Sequence, residues 1–510
     1  MKTFKIVTIL VVALAMTRCA EDPIAVEEEA QEEQVPKNEI DRMILQSLQD
    51  HDEFNWNSVS DQVLWSALLY SDSVLTIGYQ PVNEKNVNGR ISAIDVSDKT
   101  WQEAREAVIQ EALGALQKKN ARQMSREETR LKVHEVLPFL EMKVADIEVI
   151  TRLRKLPGVR YVEPLGYEVD FSTLAENGKT KSSKGCSNEA DFGIPASDFT
   201  IISPGAKLSW NYQYMNIPSA WNYSTGSGIT IGLIDTGLSA GQDKLGSQFN
   251  SGASTGRYLR KYGTYVSSWW WWASPDGPDD QCGHGTAMAG TIAAPRTSNH
   301  SPVGVAYNAN LVSVRGTGDV VINGGKEKTG VADALVLLGD STDVRIISMS
   351  IGDVFTNSKV ADAVRYAYGK GKLIFSAAGT STSFTNWYGV IFPATMAETV
   401  AVTGIKEGGG YARCDVCHSG DKVDFTIVME RPGSKNHPLT LAMNGNQPST
   451  VGGSSVATAT AAGIAALTWS KNPSLSRDEM LSRLKQAAEL YPNRDSQYGW
   501  GTLDALKAVL

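Results

Sequence analysis

Residues 228–237 read Gly-Ile-Thr-Ile-Gly-Leu-Ile-Asp-Thr-Gly: an apolar run that ends on a carboxylate, Asp235, and then breaks in a Thr-Gly turn. Its length and β-branched content predict a buried strand over residues 229–234. Runs of the same kind recur at residues 311–314, 344–349, 373–378 and 400–403, with helical patterns between them. Continuous apolar strands alternating with helices must be covered on both faces. The reading is an α/β domain over residues 209–510, with a mostly parallel sheet flanked by helices.

A smaller unit precedes it. Residues 74–79 and 140–144 read as strands, and residues 101–119 as a long helix rich in Ala, Glu and Gln. Ile147, Ile150, Leu153 and Leu156 recur at helical spacing until Pro157-Gly158 stops them, and residues 159–162 alternate again as a strand. Residues 61–170 are therefore expected to form an α+β domain. The polar stretch at 177–184, Asn-Gly-Lys-Thr-Lys-Ser-Ser-Lys, has the exposure that nicking requires. It makes residues 171–208 a linker and N-terminal extension of the larger domain. Residues 20–60, acidic at their start, read as a solvated tether.

Lys2 and Lys5 flank an apolar run at residues 6–16, too short to span a bilayer but of the form of an export signal, assigned to residues 1–19. Cys19 follows in Thr-Arg-Cys-Ala, which resembles a degraded bacterial lipobox whose cysteine carries lipid. Cleavage after Ala13-Leu14-Ala15, giving a soluble product, is the alternative. The expected location is the outer membrane or cell surface as a lipoprotein, or else the periplasm or medium. A net charge of -8 over 510 residues gives no general field for polyanions, which argues against nucleic acid as a partner.

Three segments carry chemistry. Asp235 ends its strand, and the bland reading is a strand-end residue capping a helix. Asp-Thr-Gly also marks aspartic proteases, but those share a proton between two such carboxylates, and no second copy is present. His284 lies in Cys-Gly-His-Gly-Thr-Ala-Met-Ala, between glycines and ahead of small residues, unlike the other five histidines. Ser455 lies in Gly-Gly-Ser-Ser-Val-Ala-Thr-Ala, where a helix start exposes a hydroxyl beside backbone N–H groups that favour developing negative charge. Each alone fits a structural role. Together they supply an orienting carboxylate, a base and a nucleophile.

From about residue 209 to 510 the chain resembles the catalytic domain of the subtilisin-like serine proteases, the subtilases, whose triad runs in the order Asp, His, Ser. Gly304-Val305-Ala306, Phe392-Pro393-Ala394 and Gly499-Trp500-Gly501 match as well. The resemblance implies a serine endopeptidase with Asp235, His284 and Ser455 as triad. It makes Ser350, Ile351 and Gly352 one wall of the primary specificity pocket and Ala377, Ala378 and Gly379 the other. It implies that residues 61–170 are an inhibitory propeptide whose tail lies in the cleft, with Leu-Pro-Gly-Val-Arg-Tyr-Val-Glu-Pro at 156–164 the most specific stretch. The implied partners are a protein or peptide substrate and the chain's own propeptide, with membrane contact through a lipid anchor and a monomeric state. No cofactor is required. Calcium is common in the family, and Asp276, Asp279 and Asp280 are available carboxylates, but no loop has ligand spacing and no metal is assigned.

One departure bears on activity: Thr380 stands where the family has an asparagine that donates to the oxyanion. Thr380 and the Ser455 amide are left to form the oxyanion hole, with Ser381 or Asn386 as substitutes. The competing reading is a low-activity or inactive subtilase-like binding or scaffold protein. Ser454 and Ala459 replace the family's usual threonine and proline.

Cys186, Cys282, Cys414 and Cys417 are an even set in an exported chain and suggest disulfides. Three connectivities are open, and Cys186–Cys282 with Cys414–Cys417 is the expected one. Cys414-Asp-Val-Cys417-His418 also fits covalent haem attachment. The run Trp269 to Trp272 reads either as an aromatic rim beside the cleft or as an insertion packed on its own domain.

Overall fold

The computed structural model describes residues 33–510 except 52, 121–124, 171–185, 187, 269–272, 323, 355, 381–388 and 432–436. The export signal with Cys19, the stretch at 177–184, the run Trp269 to Trp272, Ser381 and Asn386 lie outside the described residues. Contacts divide the chain into Met1–Gln34 and Val35–Leu510; the second unit is described here.

The N-terminal part runs α1 (Lys37–His51), α2 (Asp61–Leu69), β1 (Val74–Tyr79), α3 (Val87–Arg90), α4 (Lys99–Asn120), β2 (Lys132–Val133), β3 (Phe139–Lys143), α5 (Ile147–Lys155) and β4 (Val159–Pro164). Its sheet has the order β2-β3-β1-β4, antiparallel throughout. The tether expected over residues 20–60 gives way at Lys37. Helix α1 buries Ile40, Ile44 and Leu48, one residue per turn, a stripe too narrow to stand out among acidic neighbours. Asp41 is buried with it because Lys37 Nζ (2.9 Å) and the Tyr167 hydroxyl (2.7 Å) satisfy its carboxylate.

A hairpin, β5 (Phe199–Ile202) and β6 (Ala206–Ser209), closes the expected linker, and its Ala206 and Leu208 already belong to the core of the large domain. That domain continues with α6 (Ile217–Ala220), β7 (Thr230–Asp235), β8 (Leu259–Gly263), α7 (His284–Ala293), β9 (Asn310–Arg315), α8 (Gly325–Asp340), β10 (Val344–Met349), α9 (Ser358–Gly369), β11 (Leu373–Ala377), β12 (Thr399–Lys406) and β13 (Phe425–Glu430). A second hairpin, β14 (Leu439–Leu441) and β15 (Pro448–Thr450), leads into α10 (Gly453–Lys471), α11 (Arg477–Ala487) and α12 (Ala505–Val509). The sheet order is β13-β12-β11-β10-β7-β9-β8, and every pairing is parallel. Every residue of β7 is buried, as a parallel strand covered on both faces requires. The chain leaves β7 for one side of the sheet and returns after β9 to the other. This reversal opens a crevice at the carboxyl ends of β7, β10 and β11.

One apolar core joins the two parts. Ile77, Phe139 and Tyr161 of the small sheet cluster with Val331 and Leu335 of α8 and Val360 and Val364 of α9. Polar contacts set the docking. Arg160 reaches Asp362 with both terminal nitrogens (2.7 and 2.8 Å), and Tyr161 donates to the same carboxylate at 3.1 Å. Glu163 accepts the Ser358 N–H at the start of α9 (3.0 Å), Lys359 pairs with Glu141, and His134 meets Asp333 at 3.2 Å.

Candidate active site

Asp235 is the last residue of β7 and is fully buried. Its Oδ1 accepts from the Thr236 N–H and from His284 Nδ1, both at 2.8 Å. The turn that follows needs glycine: Gly237 has φ 107, and a Cβ there would lie 2.4 Å from the Pro278 carbonyl oxygen. His284 opens α7 and is 3% exposed. Burial works against its charged form, but the charge and hydrogen bond of Asp235, with Asp280 and Asp319 further off, outweigh that and hold its pKa above the ordinary value.

Asp280 organises this corner. Its carboxylate accepts the N–H groups of Cys282 (2.9 Å), Gly283 (2.7 Å) and Thr286 (2.9 Å) and the hydroxyls of Thr236 and Thr286. It thus caps α7 and ties the Asp235 turn to the His284 helix. Sequence alone leaves Asp280 as a carboxylate available to calcium with no assigned role; an acid four residues ahead of a helical histidine is the capping signal it carries. Its donors are N–H and O–H groups, Asp276 accepts the Ser267 N–H at 3.1 Å, and Asp279 bridges to Leu238. Asp280, filled by N–H and O–H donors, does not fit calcium, and no group of metal-ligating side chains occurs among the described residues.

Ser455 lies in the first turn of α10, which packs against α7. Among the described residues its hydroxyl has one hydrogen-bond partner, the Ser350 carbonyl at 3.4 Å, while the Ser350 hydroxyl donates to the Ser455 carbonyl at 2.9 Å. Thr380 sits across the turn from Ser455. Its Oγ1 accepts the Ser454 N–H (3.2 Å) and shares a hydrogen bond with the Ser454 hydroxyl (3.0 Å). The Ser455 N–H, in the first turn of the helix, has no intrahelical acceptor.

The expected pocket walls flank this serine. Ser350, Ile351 and Gly352 continue β10, and Gly379 at the end of β11 donates its N–H to the Ser454 hydroxyl at 3.2 Å. Sequence gave no sign of a third strand: Ile322 donates to the Gly352 carbonyl (3.0 Å) and Gly352 to the Val320 carbonyl (3.2 Å), so residues 320–322 pair in parallel with the first wall. Both expected disulfides are present, Cys186–Cys282 and Cys414–Cys417. The second overturns the haem reading, because the two sulfurs are bonded to each other. His418 instead packs its ring against Gly379 and donates from Nδ1 to the Gly389 carbonyl at 2.8 Å. Burial pushes its pKa down to about 4.

A parallel sheet flanked by helices, with a buried Asp–His pair at β7 and α7 and a serine in the first turn of the neighbouring α10, is the subtilisin-like fold of serine-type endopeptidases. The Subtilase family profile matches residues 226–501. The chain belongs to that family. Thermitase of Thermoactinomyces vulgaris is 27% identical over 301 residues, 58% of this chain and 94% of its own. A thermostable alkaline protease of Halalkalibacterium halodurans is 29% identical over 303 residues, 59% of this chain and 73% of its own. The crystal structure of fervidolysin from Fervidobacterium pennivorans, a keratinolytic enzyme related to subtilisin, superposes with a TM-score of 0.57 at 17% identity, covering 86% of this chain and 60% of that one. It shows a shared fold. Nothing in these likenesses supports the binding-or-scaffold alternative.

Proposed function

We propose that Asp235, His284 and Ser455 are the catalytic triad of an exported proenzyme that hydrolyses peptide bonds through an acyl-enzyme. The observation that carries this is the buried 2.8 Å pair between Asp235 and His284, carried on a helix, α7, that packs against the serine-bearing α10. Asp235 accepts from Nδ1, which leaves Nε2 as the basic nitrogen. Ser455 Oγ turns from the Ser350 carbonyl toward Nε2, gives up its proton and attacks the peptide carbonyl carbon. The imidazolium, stabilised by Asp235, returns the proton to the leaving amine as the C–N bond breaks. Water repeats the sequence on the ester and releases the acid.

Negative charge on the tetrahedral oxygen is met by the Ser455 N–H at the start of α10. Thr380 adds a second donor only when its hydroxyl leaves Ser454. Ser350, Ile351 and Gly352 on one side and Ala377, Ala378 and Gly379 on the other hold the substrate chain.

Residues 35–170 act as the inhibitory propeptide. They cover α8 and α9 through an apolar core and buried ion pairs. The tail as described runs to Asp170, with Leu165 against Gly325 at the start of α8 and Tyr167 edge-to-face with Trp56 at 5.2 Å. Processing falls between that tail and Cys186, which the disulfide fixes to Cys282. Two disulfides and the leader at residues 1–19 support export, with Cys19 as the lipid attachment point. The test is mass spectrometry of the mature N-terminus beside a Ser455→Ala variant. A new terminus within residues 171–185 that appears only with the serine supports self-processing; the same terminus in both proteins contradicts it.

A further inference from the structure

The Cys414-Asp-Val-Cys417-His418 segment, closed by its own disulfide, lies directly against the oxyanion side of the site. Cys417 pairs antiparallel with Thr380, and the His418 N–H donates to the Gly379 carbonyl at 3.0 Å. On its other side the Gly379 N–H reaches the Ser454 hydroxyl at 3.2 Å. One glycine is therefore held between the histidine segment and the turn that carries Ser455. Gly379 has φ 127, and a Cβ there would lie 2.5 Å from His418 Nδ1. The imidazole fills the face that the glycine leaves bare.

His418 ties this strand to two others. Its Nδ1 donates to the Gly389 carbonyl at 2.8 Å, and its own carbonyl accepts from the Thr403 hydroxyl on β12. Cys414 donates its N–H to the Gly404 carbonyl at 3.2 Å, so the disulfide loop is pinned to β12 and His418 leaves it from a fixed point. With the proton on Nδ1, Nε2 keeps a lone pair that is buried and has no hydrogen-bond partner among the described residues. An unsatisfied buried nitrogen opposes folding, so stability alone does not call for a histidine at this position. Burial also pushes its pKa down to about 4, which keeps the ring neutral and removes it as a base for the reaction. What the imidazole supplies is shape against Gly379 and one N–H to Gly389.

We propose that His418 is a positioning residue for the oxyanion side of the site: clasped by the Cys414–Cys417 loop, it fixes Gly379 and Thr380 where the Thr380 hydroxyl can meet the tetrahedral oxygen. The assignment rests on the proposed reading of Ser455 as nucleophile and of Thr380 as second oxyanion donor. The Thr380 hydroxyl is already shared with Ser454, so a small shift of Gly379 withdraws it from the substrate. A donor aimed at the tetrahedral oxygen acts on the transition state rather than on substrate binding. Loss of His418 therefore lowers kcat and leaves KM nearly unchanged.

The test is steady-state hydrolysis of a peptide p-nitroanilide by protein produced from the full chain, with kcat expressed per site titrated to completion by a fluorophosphonate. His418→Phe keeps a flat ring and loses the N–H; kcat should fall about tenfold to a hundredfold, the effect of misplacing or losing one such group. His418→Asn, whose amide restores a donor toward Gly389, should recover most of that loss. Thr380→Val removes the hydroxyl that His418 places, so adding His418→Phe to it should not slow the protein further. His418→Leu, which also lacks the donor, stands in if the phenylalanine form does not fold in a thermal melt. Unchanged kcat in a folded variant without the donor, a change confined to KM, or additive losses in the double variant would overturn the assignment. Two controls separate the levels: hydrolysis that survives Ser455→Ala, or an unchanged kcat in Thr380→Val, sinks the underlying reading and this inference with it.

Discussion

His284 carries the proton that every step of the proposed reaction moves. Its pKa is raised because Asp235 stabilises the imidazolium more than burial opposes it. A base must be neutral to act, so activity disappears as pH falls through the raised value. The acid limb of kcat/KM is therefore expected above the ordinary histidine value of about 6.5. An acid limb below that value would show that Asp235 does not govern the imidazole. Asp235→Asn should lower kcat by about 10⁴, because the amide favours the wrong tautomer. Thr380 is the weak point of the site, since its single hydroxyl proton is shared with Ser454 rather than aimed at the substrate. Thr380→Asn should raise kcat, toward the roughly 10²–10³ that one oxyanion donor is worth. No gain would mean that another group already fills that place.

At the level of elements, the strands were the most legible part. The apolar runs at 344–349 and 74–79 coincide with β10 and β1, because strands packed into a core keep enough apolar residues for the signal to survive Arg345, Ser348 and Thr76. Helix α1 was missed because one buried residue per turn is a weak signature amid acids, and tertiary contacts, Tyr167 on Asp41 among them, decide it. The pairing of residues 320–322 with Gly352 was invisible for the same reason: contacts distant in sequence leave no local pattern. The three motif residues were readable because strand-end and helix-start geometry writes glycine beside them. The capping role of Asp280 was not legible because an acid cluster looks alike whether it caps a helix or holds a cation. Cys186–Cys282 joins residues 96 apart and pins the start of the large domain beside His284. By loop-closure entropy its removal in Cys186→Ser should cost about 4–5 kcal/mol, read in denaturant unfolding. A change under about 1 kcal/mol would mean that the unfolded chain is not constrained by this link.

Over the whole molecule, one core and a row of buried ion pairs couple the N-terminal unit to the catalytic one. Arg160 and Asp362 are nearly inaccessible, with side chains 9% and 1% exposed, so removing one partner strands a buried charge. Asp362→Ala should weaken docking by about 3–5 kcal/mol. After processing, the fragment should stay bound in the wild type and separate from the variant on size exclusion. Co-elution in both would leave the apolar core as the sole determinant of docking.

The account depends most on one hydroxyl. Treating the purified chain with a fluorophosphonate and locating the adduct by peptide mass spectrometry addresses it directly. A single label on Ser455 is predicted, lost in Ser455→Ala and strongly slowed in His284→Ala. A label on a different residue, or peptide hydrolysis that persists in Ser455→Ala, would contradict the account.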